Sequence, residues 1–179
     1  MAAITTAENA KQEAILTVRN LHKVFNAHKK SEVRAVDDVS FSIYKGETFG
    51  LVGESGSGKS TTGRVLIKLE DITSGSVFYK GKDITQIKKK ADRMDFRRSM
   101  QMIFQDPFAS LNPRIPVKQI IGDALKLHGI CKTKEEINKR VVELMDIVGI
   151  NRAYINRYPT EFSGGQCQRI GIARALCVN

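Results

Sequence analysis

Several features are scarce in this sequence, and their absence excludes whole classes of protein. The 179 residues contain no tryptophan and three cysteines, none of them in a C-x-x-C pair. An odd number of scattered cysteines argues against a disulfide framework or a zinc site and favours reduced, packed thiols. Apolar runs stay far below the ~20 residues of a membrane-spanning helix, and residues 1–13 lack the apolar stretch of a signal peptide. We therefore expect a cytoplasmic protein.

Positive charge, in contrast, is in excess. Lys and Arg number 29 against 19 Asp and Glu, which leaves a formal charge of +10. This excess suits a polyanionic partner such as a nucleotide phosphate, a nucleic acid or an anionic membrane face, although a solvated surface explains it equally well. The length and the apolar fraction of 41% are typical of one soluble domain.

The residue pattern predicts strands and helices that follow one another after a polar tail at residues 1–13. Alternating or continuous apolar residues predict strands at 15–25, 39–43, 48–52, 74–79 and 100–104. A helix is predicted at 59–70. Another begins at the capping-box sequence Thr133–Glu136 and stops at Gly149, and a last one begins near Ser163.

The most informative motif lies between a predicted strand and a predicted helix. Residues 53–60, Gly-Glu-Ser-Gly-Ser-Gly-Lys-Ser, match G-x-x-x-x-G-K-[ST] in full. Glycines let successive backbone N–H groups face phosphate oxygens, and the following helix adds the positive end of its dipole. Lys59 supplies a charge for the β- and γ-phosphates and Ser60 a hydroxyl for Mg²⁺. The alternative is a chance glycine-rich turn, but the motif with its flanks predicts that the protein binds a nucleoside triphosphate.

A second motif, Phe162-Ser163-Gly164-Gly165-Gln166, precedes the last predicted helix. A serine N-cap followed by glycines could open this helix terminus towards an anion. By itself the motif is equally compatible with a plain helix cap.

Together these motifs make the chain resemble the ATP-binding subunit of ABC transporters over nearly its whole length. Residues 53–60 look like the Walker A motif of that family and residues 162–166 like its signature motif, with Phe in place of the usual Leu. Gln105 resembles the Q-loop glutamine, although a solvent-facing loop residue is the alternative. Phe25 occupies the place of the adenine-stacking aromatic, although it could be a core residue of an early strand. Residues 101–107, 110–114 and 157–159 are similar to the oligopeptide/dipeptide importer branch.

The resemblance implies a fold and a set of site residues. The expected fold is α/β, with a P-loop NTPase core, an antiparallel β subdomain and a helical signature subdomain at about residues 106–165, in a nucleotide-binding domain spanning 14–179. The expected ligands are ATP and Mg²⁺, with Lys59 and Gln105 as catalytic residues and Ser60 and Gln105 at the metal. The residues expected to bind the nucleotide are Phe25, Gly53, Glu54, Ser55, Gly56, Ser57, Gly58, Lys59, Ser60, Thr61, Ser163, Gly164, Gly165 and Gln166.

The resemblance also implies how the protein works. Two such subunits pair head to tail, so that each ATP lies between the phosphate loop of one copy and the signature motif of the other. The expected function is to couple ATP binding and hydrolysis to import of peptides or similar small solutes, at the cytoplasmic face of the plasma membrane. Transmembrane permease subunits and, indirectly, a solute-binding protein are the further partners. A non-catalytic ATP-binding fragment and a soluble ABC-type ATPase of translation or DNA repair are the alternatives.

One part of the family pattern is not found in this sequence. The family continues with a strand that ends in a Mg²⁺-binding Asp, then a catalytic Glu and a switch His, but no Asp or Glu follows Glu161 and the last His is His128. We therefore expect the chain to be the N-terminal portion of a longer subunit, in which the C-terminal part of the fold is missing. Hydrolysis by these residues alone is expected to be negligible.

A cluster of eight basic residues lies within residues 80–98. Nucleic-acid binding would call for base-stacking aromatics on the same face, and only Tyr79 and Phe96 are close in sequence. The cluster is therefore interpreted as a solvated surface, and no nucleic-acid partner is expected.

Overall fold

The computed structural model describes residues 2–3, 13–26 and 31–178. The chain divides into two compact units, Met1–Lys89 and Lys90–Asn179. The first unit contains the predicted antiparallel strands, and the second contains the predicted helical part. No helix in the described ranges combines the length and the apolar character that crossing a membrane would require.

The described part of the Met1–Lys89 unit is a strand-rich structure with one α-helix, α1 (Lys59–Leu66). Its strands are β1 (Ala2–Ala3), β2 (Ala14–Phe25), β3 (Val33–Tyr44), β4 (Leu51–Val52), β5 (Ser74–Tyr79) and β6 (Lys82–Asp83). The sheet order is β3-β2-β5-β6 with antiparallel neighbours, and β1 pairs separately with β4.

Alternation along β2 explains the core of this unit. Leu16, Val18 and Leu21 are buried, and Val18 lies opposite the buried Val77 of the neighbouring strand β5; Val65 of α1 is buried as well. Burying one apolar face is what holds a sheet against a helix. The predicted alternating strand at 39–43 forms part of β3, where Phe41 is buried and its ring stacks on that of Phe49 at 4.8 Å between centroids.

The described part of the Lys90–Asn179 unit is helical. Its helices are α2 (Lys90–Ser99), α3 (Pro107–Ser110), α4 (Val117–Leu127), α5 (Lys134–Ile147) and α6 (Gly164–Leu176), with single 3₁₀ turns at Arg152–Tyr154 and Pro159–Glu161. The core combines buried apolar residues of α4, α5 and α6, including Ile121, Leu125, Leu144, Met145 and Ile170.

Helix α5 confirms the sequence prediction at both ends. The Thr133 hydroxyl accepts the Glu136 N–H, and the Glu136 carboxylate accepts the Thr133 N–H, which completes the capping box. At the other end Gly149 has φ 68°, and the Ile150 N–H donates to the Met145 carbonyl. A glycine in this left-handed conformation closes a helix by capping its last carbonyls.

Three predicted elements differ from the structure. Residues 100–104 are irregular, because a strand requires a neighbour for its backbone hydrogen bonds and the described part of this unit offers no other strand. Residues 48–52 contribute only β4, in which Val52 is 55% exposed, so the predicted buried strand is wrong. Helix α1 ends at Leu66 instead of residue 70, since Lys68 adopts φ 54°, which lies outside the helical region. The Lys68 ammonium donates to the Ile84 carbonyl at 2.8 Å.

Candidate functional site

The predicted phosphate loop connects β4 to α1. Gly56 and Gly58 have φ values of 81° and 88°, a conformation that glycine adopts without strain. Gly58 is the N-cap of α1, and no side chain caps this helix N-terminus. The first backbone N–H groups of α1 therefore have no side-chain acceptor at the cap, as an anion-binding helix terminus requires.

The ammonium of Lys59 lies against the start of the same loop. Its Nζ donates to the carbonyl oxygens of Gly53 at 2.8 Å and Glu54 at 2.7 Å, and to the Ser57 hydroxyl at 3.4 Å. The Ser57 N–H donates to the Glu54 carbonyl at 3.2 Å, which closes a turn inside the loop. The loop thus holds its own cation in place through backbone carbonyls.

Two glycines of the motif have little room for a side chain, and one of them, Gly58, also has a positive φ. A Cβ on Gly58 would lie 1.9 Å from the carbonyl oxygen of Ala35 in β3, and one on Gly53 would lie 2.5 Å from the Ser57 hydroxyl. By contrast, a Cβ on Gly56 would meet nothing within 4 Å. Strand β3 therefore fixes the end of the loop from behind, a constraint that the motif itself does not reveal.

The first turn of α1 presents three hydroxyl residues in different environments. Ser60 is exposed, Thr61 is half-buried and Thr62 is fully buried. The Thr62 hydroxyl donates to the Gly58 carbonyl at 3.0 Å, and its N–H donates to the same oxygen at 2.8 Å. Thr62 thus supports the end of the phosphate loop, and the sequence analysis did not predict this role. The one feature of the sequence that could have indicated it is a hydroxyl residue four positions after the capping glycine.

Phe25 ends β2 in the same unit and is half-buried. The Lys23 ammonium lies 4.6 Å from the centroid of its ring, and that ammonium also binds the Asp71 carbonyl and the Glu70 carboxylate. One cation therefore contacts the ring, and Phe25 is not a fully buried core aromatic.

The second predicted motif forms the start of α6. The Ser163 Oγ accepts the Gln166 N–H at 3.3 Å, and the Gln166 Oε1 accepts the Ser163 N–H at 3.0 Å. This is a complete capping box. Because the Ser163 hydroxyl acts as an acceptor here, its own proton remains available for a further acceptor. Gly165 has nothing within 4 Å of an added Cβ, so the backbone is open at that position.

Phe162, the residue that departs from the usual signature, is buried and meets the Tyr154 ring edge-on at 6.0 Å. Its larger ring thus fills core space beneath the start of α6. Gln105 is exposed at a bend in the same unit, directly before Asp106, whose carboxylate caps α3 through the Ala109 N–H.

The cysteines are free, as predicted. Burial raises the pKa of the Cys167 thiol and raises that of Cys177 to about 11. Thiols in this state bind metals poorly and react slowly. Across the described residues, no three His, Cys, Asp or Glu side chains are arranged to hold a metal ion. The exposed Ser60 hydroxyl, together with phosphate oxygens and water, is the type of oxygen ligand that would suit Mg²⁺.

The glycine loop, its lysine and the helix after it, whose N-terminus has no side-chain cap, define a P-loop nucleotide-binding protein. A family model described as "ABC transporter" matches residues 36–179. The chain belongs to the ABC transporter family, as the two motifs predicted, and membership implies that it binds a nucleotide.

Named relatives agree with the predicted branch of the family. The chain is 54% identical over 167 residues to the "Oligopeptide transport ATP-binding protein OppF" of Bacillus subtilis (strain 168), covering 93% of this chain and 54% of that protein. It is 52% identical over 166 residues to the "Dipeptide transport ATP-binding protein DppF" of Lactococcus lactis, covering 92% and 53%. The chain thus spans about half the length of the curated relatives it matches.

A solved structure has the same fold. It is described as a dimeric structure of a post-hydrolysis state of the ATP-binding cassette MJ0796 bound to ADP and Pi. It matches with a TM-score of 0.81 and 27% identity, over 92% of this chain and 70% of that one. The predicted fold class is therefore confirmed, including the antiparallel sheet and the helices.

Proposed function

We propose that the protein is the ATP-binding subunit of a peptide importer, in which ATP binding and hydrolysis drive transport. The observation that carries this proposal is the loop at residues 53–60, where glycines in the left-handed conformation lead into an uncapped helix with Lys59 at its first position. The similarity to peptide-transport ATP-binding proteins supports the choice of solute. It favours an importer over a soluble ATPase of translation or DNA repair.

Lys59 would bind the phosphates through the ammonium N–H that makes the weakest contact within the loop. An ammonium has three N–H donors, and two of them make short bonds to the Gly53 and Glu54 carbonyls. The third makes only the 3.4 Å contact to Ser57. A phosphate oxygen can replace that weak contact with a charge-assisted hydrogen bond.

The Ser60 hydroxyl, exposed on the first turn of α1, would hold Mg²⁺ together with the phosphates, and Gln105 would approach the same ion or the attacking water. When bound, Mg²⁺ neutralises charge that develops on the transferred phosphoryl group. Thr61 and the remaining loop residues would position the phosphates. Phe25 would stack on the adenine, with Lys23 on its ring as a further contact.

A second copy, or a homologous subunit, would close the site. Ser163 offers its hydroxyl proton and Gly164 and Gly165 offer backbone N–H groups at the start of α6, where the helix dipole favours an anion. The neighbouring Gln166 would maintain this geometry through the capping box. The proposed location is the cytoplasmic face of the plasma membrane, in contact with permease subunits that receive solute from a binding protein.

Nucleotide titration tests the first step. We expect Lys59→Ala to weaken binding of a fluorescent ATP analogue with Mg²⁺ by about 10–100-fold, the value of one charge-assisted hydrogen bond. Lys82→Ala is the matched control, because it removes the same charge from an exposed residue of β6 in the same unit. Equal affinity of the wild type and the Lys59 variant would contradict the proposed role of the loop.

Transport tests the second step. The test uses vesicles that contain the assembled transporter with this subunit on the inner face. Labelled oligopeptide should accumulate inside these vesicles only when ATP is also present inside. The Lys59→Ala subunit should abolish accumulation. If nickel were taken up in place of peptide, the proposed solute would be wrong, whereas ATP binding would still support the proposed nucleotide site.

A further inference from the structure

Helix α3 is a single turn that lies directly after Gln105 and Asp106. None of its residues is buried, and Phe108 is 50% exposed. A helix this short is not stable by itself in water. The position of the Gln105 segment therefore depends on contacts that hold α3 in the Lys90–Asn179 unit, which include the burial of Leu111 directly after α3.

Helix α6 supplies two of these contacts. At its N-terminus, a Cβ on Gly164 would lie 3.6 Å from the Phe108 ring, so the backbone of the signature motif packs against α3. Further along α6, the Arg174 Nη1 donates to the Ser110 carbonyl at 2.7 Å. Ser110 is the last residue of α3. Because the last carbonyls of a helix have no N–H donor within the helix, the Ser110 carbonyl is free to accept from Arg174.

The bond from Arg174 is well suited to hold a segment in place. The side chain is half-buried, and burial lowers the pKa of its guanidinium, although an arginine stays charged at neutral pH. A charged donor in partial burial makes a stronger hydrogen bond than one in water. Arg169 on the same helix offers a contrast, since it is exposed and its Nη1 donates to the Gly149 carbonyl at 3.3 Å.

We propose that Arg174 is a positioning residue that ties the Gln105 segment to the signature helix. Through the Ser110 carbonyl, it makes α3 and α6 move as one body, so that a displacement of the Gln105 segment also displaces the start of α6. The inference rests on the proposed function for its consequence, the coupling of Gln105 to the signature motif. The link between α3 and α6 through the Arg174–Ser110 hydrogen bond, called the tie below, lies within this unit and can be tested separately.

Amide hydrogen exchange tests the tie. In Arg174→Met, which keeps an unbranched stem but removes the donor, the amides of residues 109–111 should exchange at least 10-fold faster than in the wild type. The amides of α4 and α5 should not change. Arg169→Met is the matched control and should leave residues 109–111 at the wild-type rate. Unchanged exchange of residues 109–111 in Arg174→Met would overturn the proposal.

A conservative variant separates positioning from general folding. Arg174→Lys keeps the charge and a donor group, and we expect it to recover part of the protection of residues 109–111. If both Arg174 variants instead accelerated exchange throughout α4 and α5, Arg174 would be a structural residue of the whole unit and the proposal would be wrong.

ATP hydrolysis by the assembled transporter tests the consequence. We expect Arg174→Met to lower kcat by about 5–10-fold with KM for ATP changed less than twofold, because the phosphate loop is untouched. Arg169→Met should behave as the wild type. An equal rise in KM, or an unchanged kcat, would contradict the coupling. A wild-type transporter that does not hydrolyse ATP would contradict the proposed function instead, and the exchange result would still decide whether the tie exists.

Discussion

The N-termini of α1 and α6 are both proposed to meet phosphate, yet they are built in opposite ways. Helix α1 begins at Gly58 without a side-chain cap, and its lysine is held by carbonyls of the preceding loop. Helix α6 begins at Ser163 with a complete capping box. The backbone N–H groups at the start of α1 are left for a ligand, whereas some of those at the start of α6 are already bound by the capping box.

This difference indicates how much each terminus depends on its surroundings. The start of α1 is shaped by a tertiary contact, since Gly58 lies against the Ala35 carbonyl, in addition to the local bond from Thr62 to Gly58. The start of α6 is shaped by local bonds within four residues. We therefore expect substitutions at α1 to act through packing and strain, and those at α6 to act through capping.

The largest effect is expected at Gly58. A methyl group there would clash with the Ala35 carbonyl and force a non-glycine residue to φ 88°, so Gly58→Ala should lower the free energy of unfolding by at least ~3 kcal/mol. Gly56→Ala has a similar φ of 81° but open space around the methyl group, and it should cost only about 1 kcal/mol. Denaturant unfolding of both variants measures the difference, and equal losses would show that strand β3 does not constrain the loop.

A smaller effect is expected at Ser163. Ser163→Ala should lower the free energy of unfolding by about 1 kcal/mol, because the Gln166 N–H loses its acceptor. Ser163→Asp supplies another acceptor and a favourable charge for the helix dipole, so it should stay within about 0.5 kcal/mol of the wild type.

The two Ser163 variants differ in function as well. An aspartate would repel the phosphates of a nucleotide held by a second copy, so Ser163→Asp should abolish ATP-dependent pairing of subunits in sedimentation experiments while remaining stably folded. Pairing by the aspartate variant at the wild-type nucleotide concentration would remove the proposed role of this terminus in closing the site.

The smallest effect concerns pH and compares the two capping boxes. Backbone N–H groups of Lys132 and then Thr133 donate to the Glu136 carboxylate and lower its pKa below the ordinary value. A pKa lowered by folding stabilises the protein above the pKa of an unfolded glutamate, about 4.3, and that contribution is lost as the pH falls through the lower pKa of the folded state. The box at Ser163 uses the neutral Gln166 and should not titrate.

Glu136→Gln provides the control for this titration. Glutamine keeps an acceptor oxygen but has no carboxylate, so the difference in free energy of unfolding between the wild type and Glu136→Gln should shrink between pH 7 and pH 3. A difference that is constant over this range would show that the carboxylate charge contributes nothing to the cap.

Local features of this protein could be predicted from its residues alone. The capping box at Thr133, the serine N-cap at Ser163 and the stop at Gly149 were confirmed, because each depends on hydrogen bonds within a few residues. In the loop at residues 53–60, Gly56 and Gly58 have the positive φ values that favour glycine at these positions. The family followed from these short motifs in their order along the chain.

Features that join distant segments were decided only by the tertiary structure. An apolar run such as residues 100–104 becomes a strand only where another strand takes its hydrogen bonds. No sequence pattern indicates that the Ala35 carbonyl constrains Gly58, that the Lys68 ammonium donates to the Ile84 carbonyl, or that Arg174 donates to the Ser110 carbonyl. These contacts join residues 16 to 64 positions apart, and only the packing of whole elements brings such residues together.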